Sequence, residues 1–231
     1  DDQWGFFPAV ALAYNLVNFG EGKGLIDEFK VRLGYGEVGN VASLSGRYDY
    51  LTRYEGSNSS GAYQFGNTFY QTYRPEPNNP ELRWEVSETA NFGLDFSMLN
   101  RRLSGSLNVY RKLTRDLIAS SSVDPFTNFS NRISKNIGNI ENKGVELNLN
   151  LGLVSTDDTS LNLNLNGSYN KNEVSQLPYV QEVGGIAGGV GNNIQLHTEG
   201  EAPFSFYVFE QVYDSNNRPI EGLFVDRNGD N

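Results

Sequence analysis

Leucine and asparagine alternate through residues 143 to 170: Leu147, Leu149 and Leu151 interleave with Glu146, Asn148 and Asn150, then Leu161, Leu163 and Leu165 with Asn162, Asn164 and Asn166. Successive side chains of a strand point to opposite faces, so a period of two predicts strands with one apolar and one polar face. The apolar face must meet either a second protein layer or lipid. In a soluble sandwich, β-branched and aromatic residues usually dominate that face. Here it is mostly leucine, and the opposite face carries uncharged Asn and Ser, groups suited to a water-filled interior.

Composition narrows the choice. The chain has 231 residues, enough for a substantial core, yet it is 38% hydrophobic with a mean hydropathy of −0.49. With 13 Tyr and 14 Phe it is too aromatic for ordinary disorder. A transmembrane helix is excluded, because there is no continuous apolar run of about 18 residues. Membrane-crossing strands stay allowed, since alternating strands average to a polar sequence. A net charge of −10, from 18 basic and 28 acidic residues, argues against binding a phosphate backbone, so nucleic acid is not expected as a partner. The absence of cysteine excludes a disulfide framework and a thiolate metal site. The opening "DDQWGFF" lacks a basic n-region and an apolar h-region and is not expected to be a signal peptide.

Six strands are expected, at about 6–16, 29–36, 85–97, 102–112, 143–153 and 160–170. Phe92, Leu94 and Phe96 alternate with Asn91, Gly93 and Asp95, and Leu103, Leu107 and Val109 with Ser104, Ser106 and Asn108. The lengths suit the ~9–11 residues of a tilted strand crossing a bilayer. Connections alternate too. "MLNR" and "VSTDDT" are short, 17–28 is intermediate, and 37–84, 113–142 and 171–231 are long and rich in Gly, Asn, Ser and Pro. Outer-membrane barrels place tight turns on the periplasmic side and long loops outside. The expected fold is therefore all-β: an antiparallel transmembrane β-barrel segment with extracellular loops 37–84, 113–142 and 171–231. Trp4, Phe6, Phe7, Tyr14, Tyr35, Trp84, Tyr110 and Tyr169 are expected in interfacial girdles. A soluble β-sandwich or jelly roll stays open as the alternative.

"NPELRWEVSETANFGLDFSMLNRRLSGSLNVYRKLTRDLI", residues 79–118, and "NIGNIENKGVELNLN", residues 136–150, resemble barrel segments of SusC-like TonB-dependent outer-membrane transporters. "WGFFPAVALAY" (4–14), "KVRLGYGEVGN" (30–40), "EGEAPFSFYVFEQVYD" (199–214) and "FVDRNGDN" (224–231) resemble further segments of that family, in family order. The resemblance implies a larger, 22-stranded barrel in the cell outer membrane of a Gram-negative, Bacteroidota-type bacterium. It implies a plug domain, which is absent from this sequence, and a TonB complex reached through a missing N-terminal part. It also implies a SusD-like surface lipoprotein as partner and uptake of oligosaccharides or peptides without catalysis. Six strands forming an open sheet would leave two unpaired edges in lipid, so the chain is expected to be a piece of a larger barrel.

Catalytic signals are few. One histidine, no cysteine and no Gly-x-Ser-x-Gly elbow leave acyl transfer without a constellation. His197 is expected as a solvated or hydrogen-bonded loop residue, "GGIAGGVGNN" (184–193) as an external loop, and Glu199 and Glu201 as solvated charge rather than a glycosidase dyad. In "DRNGDN", Asp226, Asn228 and Asp230 have the i, i+2, i+4 spacing of a calcium loop, although Asn231 stands where the turn glycine belongs. No other cofactor is expected. Tyr48, Tyr50, Tyr54, Tyr63, Tyr70 and Tyr73 crowd the 37–84 loop and are candidates for gripping a sugar or peptide at an external mouth. The alternatives to an importer are a secreted soluble carbohydrate-binding β-sandwich and a surface glycosidase.

Overall fold

The computed structural model describes residues 4–17, 25–41, 49–57, 61–123, 132–185 and 193–225. Six long strands form one sheet: β1 (Ala9–Val17), β2 (Ile26–Asn40), β3 (Glu85–Met98), β4 (Leu103–Arg115), β5 (Asn139–Ser155) and β6 (Ser160–Gln176). Each is antiparallel to the next in the chain, so the sheet is a simple meander with β1 and β6 at its edges.

The register turns alternation into layers. On one face, residues line up across the strands in four apolar rows. Met98, Leu103, Leu151 and Leu163 form the row nearest the short turns, followed by Phe29, Phe96, Gly105, Leu149 and Leu165. Next come Tyr14, Val31, Leu94, Leu107, Leu147 and Gly167, then Leu12, Leu33, Phe92, Val109, Val145 and Tyr169. The other face carries Lys30, Arg32, Asp95, Ser106, Asn108, Asn148 and Asn166. Here Asn148 pairs with Asn166, and Asn150 with Asn164.

No second layer among the described residues covers the apolar rows. Among the described residues only Ile118, Ile137 and Val174 are buried apolar side chains, while Leu12 is 61% exposed and Leu165 47%. A soluble sandwich would hide these leucines against a facing sheet. No described helix is long and apolar enough to cross a membrane, which leaves strands free to do so.

Several strands extend beyond their alternating stretches. β2 runs from Ile26 to Asn40 rather than 29–36, β4 reaches Arg115, β5 begins at Asn139 and β6 continues to Gln176. These extensions are polar and break the alternation, but the backbone ladder persists through them, as in the pairs Asn40 with Glu85 and Glu141 with Glu173. Residues 37–40, 113–115 and 171–176, expected in loops, are therefore strand. β1 begins at Ala9 rather than residue 6, immediately after Pro8, which has no N–H to donate.

Tyr110 departs from the expected girdle. It shares the polar face with Asn108, pairs with Gly144 and donates from its hydroxyl to Asn170 at 3.3 Å. A Cβ on Gly144 would lie 2.6 Å from the Tyr169 carbonyl oxygen and 2.8 Å from the Tyr110 hydroxyl. Only glycine leaves room for this ring. Tyr14 and Tyr169 lie on the apolar face, 64% and 70% exposed, while Phe7 meets Trp84 edge-on at 5.6 Å between ring centres.

Candidate functional site at the long-loop end

The short links lie at one end of the sheet. Leu99, Asn100 and Arg101 turn from β3 to β4 in left-handed conformations, with the Arg101 N–H held by Asp27 at 2.8 Å. All the long connections leave from the other end, where short strands and side-chain brackets stitch them into a rim.

Asn136 is the central bracket. Its carboxamide exchanges two hydrogen bonds with the backbone of Arg83, accepting from the N–H and donating to the carbonyl, both at 2.8 Å. It also donates to the Asp116 carbonyl at 2.8 Å. A side-chain amide has the same donor and acceptor as a peptide group, so Asn136 extends the backbone ladder where no strand can reach. Asn139 accepts from the Asp116 N–H at 3.2 Å and donates to Gln176 at 2.8 Å. Between them Gly138 has φ +83°, and a Cβ there would lie 2.5 Å from the Gln176 carbonyl oxygen. "NIGN" is therefore a knot joining the bases of three external connections.

A second layer of brackets sits on the first. Asn79 donates from its side chain to the Ser134 carbonyl at 3.2 Å and from its backbone to the Asp49 carbonyl at 2.9 Å, and Asp49 accepts from the Ser134 hydroxyl at 2.9 Å. Buried Glu85 accepts from the Ile118 N–H at 3.3 Å and from Asn40 at 3.2 Å. Asn79, Glu85, Asn136 and Asn139 lie inside the family-like segments, but their role is not legible there, since their partners are far away in the chain.

The candidate tyrosines ride on two small hairpins above this base. In one, strand Tyr54–Gly56 pairs with Tyr73–Pro75, putting Tyr54 and Tyr73 on a common face, 66% and 70% exposed. In the other, Tyr63–Phe65 pairs with Thr68–Tyr70, and Tyr63 stands directly opposite Tyr70. Tyr50 is half-buried. Tyr48 lies outside the described residues, as do Asp226, Asn228 and Asp230 and most of 184–193. Arg74 and Glu55 form an ion pair at 2.7 Å on the reverse of the first hairpin. The Glu55 carboxylate, through its hydrogen bond and then its charge, holds the Arg74 guanidinium above its ordinary pKa.

A second aromatic strip lies outside the 37–84 loop. In residues 204–209, "FSFYVF", Phe206, Tyr207 and Phe209 are more than two-thirds exposed. Phe206 and Tyr207 line a cleft of about 680 Å³ with Val180, Leu196, Glu182 and Glu201. Its signal in the sequence is the density of aromatics within the family-like segment 199–214. His197 is not a solvated loop residue. It ends the strand Asn193–His197, its ring meets Phe204 edge-on at 4.6 Å, and its Nε2 is buried without a hydrogen-bond partner among the described residues.

On the polar face below the rim, Arg32 makes a bidentate pair with Asp95, both bonds 2.8 Å, and donates to Asn108 at 2.9 Å. The pair ties β2 to β3 and β4 on a wall that would otherwise carry an unopposed guanidinium.

A single-layer antiparallel meander, apolar on one face, polar and cross-linked on the other, with all its long connections at one end, defines the wall of an outer-membrane β-barrel. Residues 1–204 match the family model described as "TonB dependent receptor-like, beta-barrel". The chain belongs to this family, one of receptors rather than enzymes. It is 38% identical to the TonB-dependent receptor SusC of Bacteroides thetaiotaomicron over 99% of its own length, and 32% identical to the TonB-dependent receptors P39 and P3 of Formosa agariphila over 93% and 95%. These alignments cover 24%, 20% and 22% of the respective relatives, so the chain spans about a quarter of their length or less. Its fold is similar to the RagAB peptide importer in the "open-open" state (TM-score 0.70, 23% identity, 90% of this chain and 21% of that one). The similarity to the "closed-closed" state is comparable (TM-score 0.68, 20% identity, 93% and 24%).

Proposed function

We propose that this chain is part of the barrel wall of a SusC-like, TonB-dependent importer in the outer membrane of a Bacteroidota-type bacterium, taking up oligosaccharides or peptides. The observation that carries the reading is the unlayered apolar face: a sheet this exposed needs lipid on one side, and the polar opposite face suits a watery lumen. Strand direction follows. β1, β3 and β5 run inward, β2, β4 and β6 outward, and the stitched rim faces the cell exterior.

In this reading the exposed tyrosines of the two hairpins grip substrate by aromatic stacking, beneath a SusD-like surface lipoprotein acting as a lid. Energy reaches the site from the TonB complex through a plug, both contributed from beyond this sequence. The oligosaccharide and peptide classes both come from the resemblance to SusC-like transporters, and a structure of similar fold is that of a peptide importer.

The test uses the full-length protein in its host. Cells are given fluorescent oligosaccharides or fluorescent peptides, and uptake is compared with that of a strain carrying Tyr54→Ala, Tyr63→Ala, Tyr70→Ala and Tyr73→Ala together. Stacking on one exposed aromatic contributes about 1 kcal/mol, so four losses are expected to cut uptake of the true class by at least ~10-fold at unchanged membrane levels. Unchanged uptake would remove the tyrosines from the site; uptake of neither class by the unaltered protein would remove the importer reading.

Asp226, Asn228 and Asp230 enter the proposal as a calcium loop on their spacing. Calorimetric titration with calcium chloride is expected to show saturable binding that Asp226→Asn with Asp230→Asn abolishes. Equal heats from both proteins would discard the loop.

A further inference from the structure

Above the fourth apolar row the register places Ala90, Arg111, Lys143 and Lys171 side by side, so three neighbouring strands present three cations in one line on the lipid-facing side. Like charges directly opposite one another destabilise a sheet unless something neutralises them. The next row supplies Glu37, Glu88, Glu141 and Glu173. Two of these are engaged elsewhere, Glu88 by Arg115 and Glu37 by the Tyr35 hydroxyl at 2.6 Å. Glu141 pairs with both Arg111 and Lys143, the latter at 3.0 Å, and Glu173 with Lys171 at 2.6 Å. Three cations thus share two carboxylates. Over β4 to β6 the cations stay at least half exposed while Glu141 and Glu173 are largely covered, so this stretch presents a positive surface outward, while Glu37 on β2 keeps its charge beside the neutral Tyr35 hydroxyl.

The position of the row matters as much as its charge. From Met98 to Ala90 is eight residue steps, or ~27 Å along the strand, about 20 Å of height at the ~40° tilt of membrane strands. That approaches the ~25 Å apolar band of such barrels, so the cations fall where hydrocarbon gives way to headgroups. Tyr169, immediately below Lys171, marks the same boundary. At the opposite edge of the band the last apolar row is Met98, Leu103, Leu151 and Leu163, beyond which Arg101 and Arg102 lie in the short turn.

We propose that Arg111, Lys143 and Lys171 form a binding rim for a phosphorylated lipid headgroup of the outer leaflet, with the acyl chains lying over the leucine rows below. This rests on the membrane reading above. Arginine offers a planar fork to phosphate oxygens and the two lysines compact point charges, together a surface for more than one phosphate.

The test takes the full-length protein in a neutral detergent, incubated with phosphatidylcholine alone or with added diphosphoryl lipid A, and counts retained lipid by native mass spectrometry. Retention of lipid A is expected to be at least about tenfold lower in R111Q/K143Q/K171Q, since each basic residue at an anionic surface contributes several-fold. Phosphatidylcholine retention should be unchanged. Heat-modifiable gel migration of the same samples reports the barrel separately, so loss of lipid A with migration intact supports the rim, and equal retention overturns it whatever the migration. If the triple variant fails to fold, R111K/K143R/K171R decides: wild-type retention supports the rim, and loss overturns it. A row that instead meets a neighbouring protein would give equal lipid retention in all variants, which also overturns it.

Discussion

Leu147→Arg is expected to cost the barrel about 2–4 kcal/mol, while Asn148→Arg, one residue along the same strand, leaves assembly intact. Leu147 sits in the third of the four apolar rows, flanked across the ladder by Leu107 and Gly167, close to the middle of the band. An arginine there must hold its charge in hydrocarbon. Steric crowding does not explain the cost, since Leu147 is 38% exposed and a Cβ on Gly167 would meet nothing within 4 Å. Asn148 faces the other way and donates a 3.3 Å hydrogen bond to Ser106, so an arginine in its place extends into water. Urea unfolding of the full-length protein in lipid vesicles measures both variants. Equal tolerance of the two arginines would show that the leucine rows do not face lipid.

The second large effect is expected at the rim. Asn136→Ala removes three hydrogen bonds at 2.8 Å. At roughly 1 kcal/mol each they amount to ~3 kcal/mol of local stability. The loss falls on the loop bases, since the six-strand ladder uses none of these bonds. Amide exchange of Arg83, whose N–H is held by Asn136, should accelerate by about two orders of magnitude, as ~1.4 kcal/mol corresponds to tenfold. Asn164→Ala, an exposed change on the polar face, should stay within ±0.5 kcal/mol. Should Arg83 exchange at its original rate in the Asn136 variant, the knot does not hold the rim.

Legibility differed between strand and loop for a physical reason. Phe92, Leu94 and Phe96, or Leu147, Leu149 and Leu151, announce their strand because side-chain direction follows from the local backbone alone. The same rule assigns Tyr110 to the polar face two residues after Asn108, against the girdle position its aromatic character suggests. The strand extensions at 37–40 and 171–176 were hidden because their side chains no longer alternate, although their backbones still pair. Small hairpins such as Tyr63–Phe65 with Thr68–Tyr70 lay inside a stretch whose Gly, Asn and Ser content reads as loop.

Alternation along each strand settles which side chains share a face, because that property needs no partner. It thereby separates leucines from asparagines and predicts a wall between an apolar and an aqueous medium. Which residues stand beside one another across that wall was decided by register. Arg111, Lys143 and Lys171 become one cationic line only when β4, β5 and β6 align, and Asn136 reaches Arg83 across 53 positions of the chain. Backbone hydrogen bonds between distant segments set both arrangements, and a local period carries no record of where its partner begins.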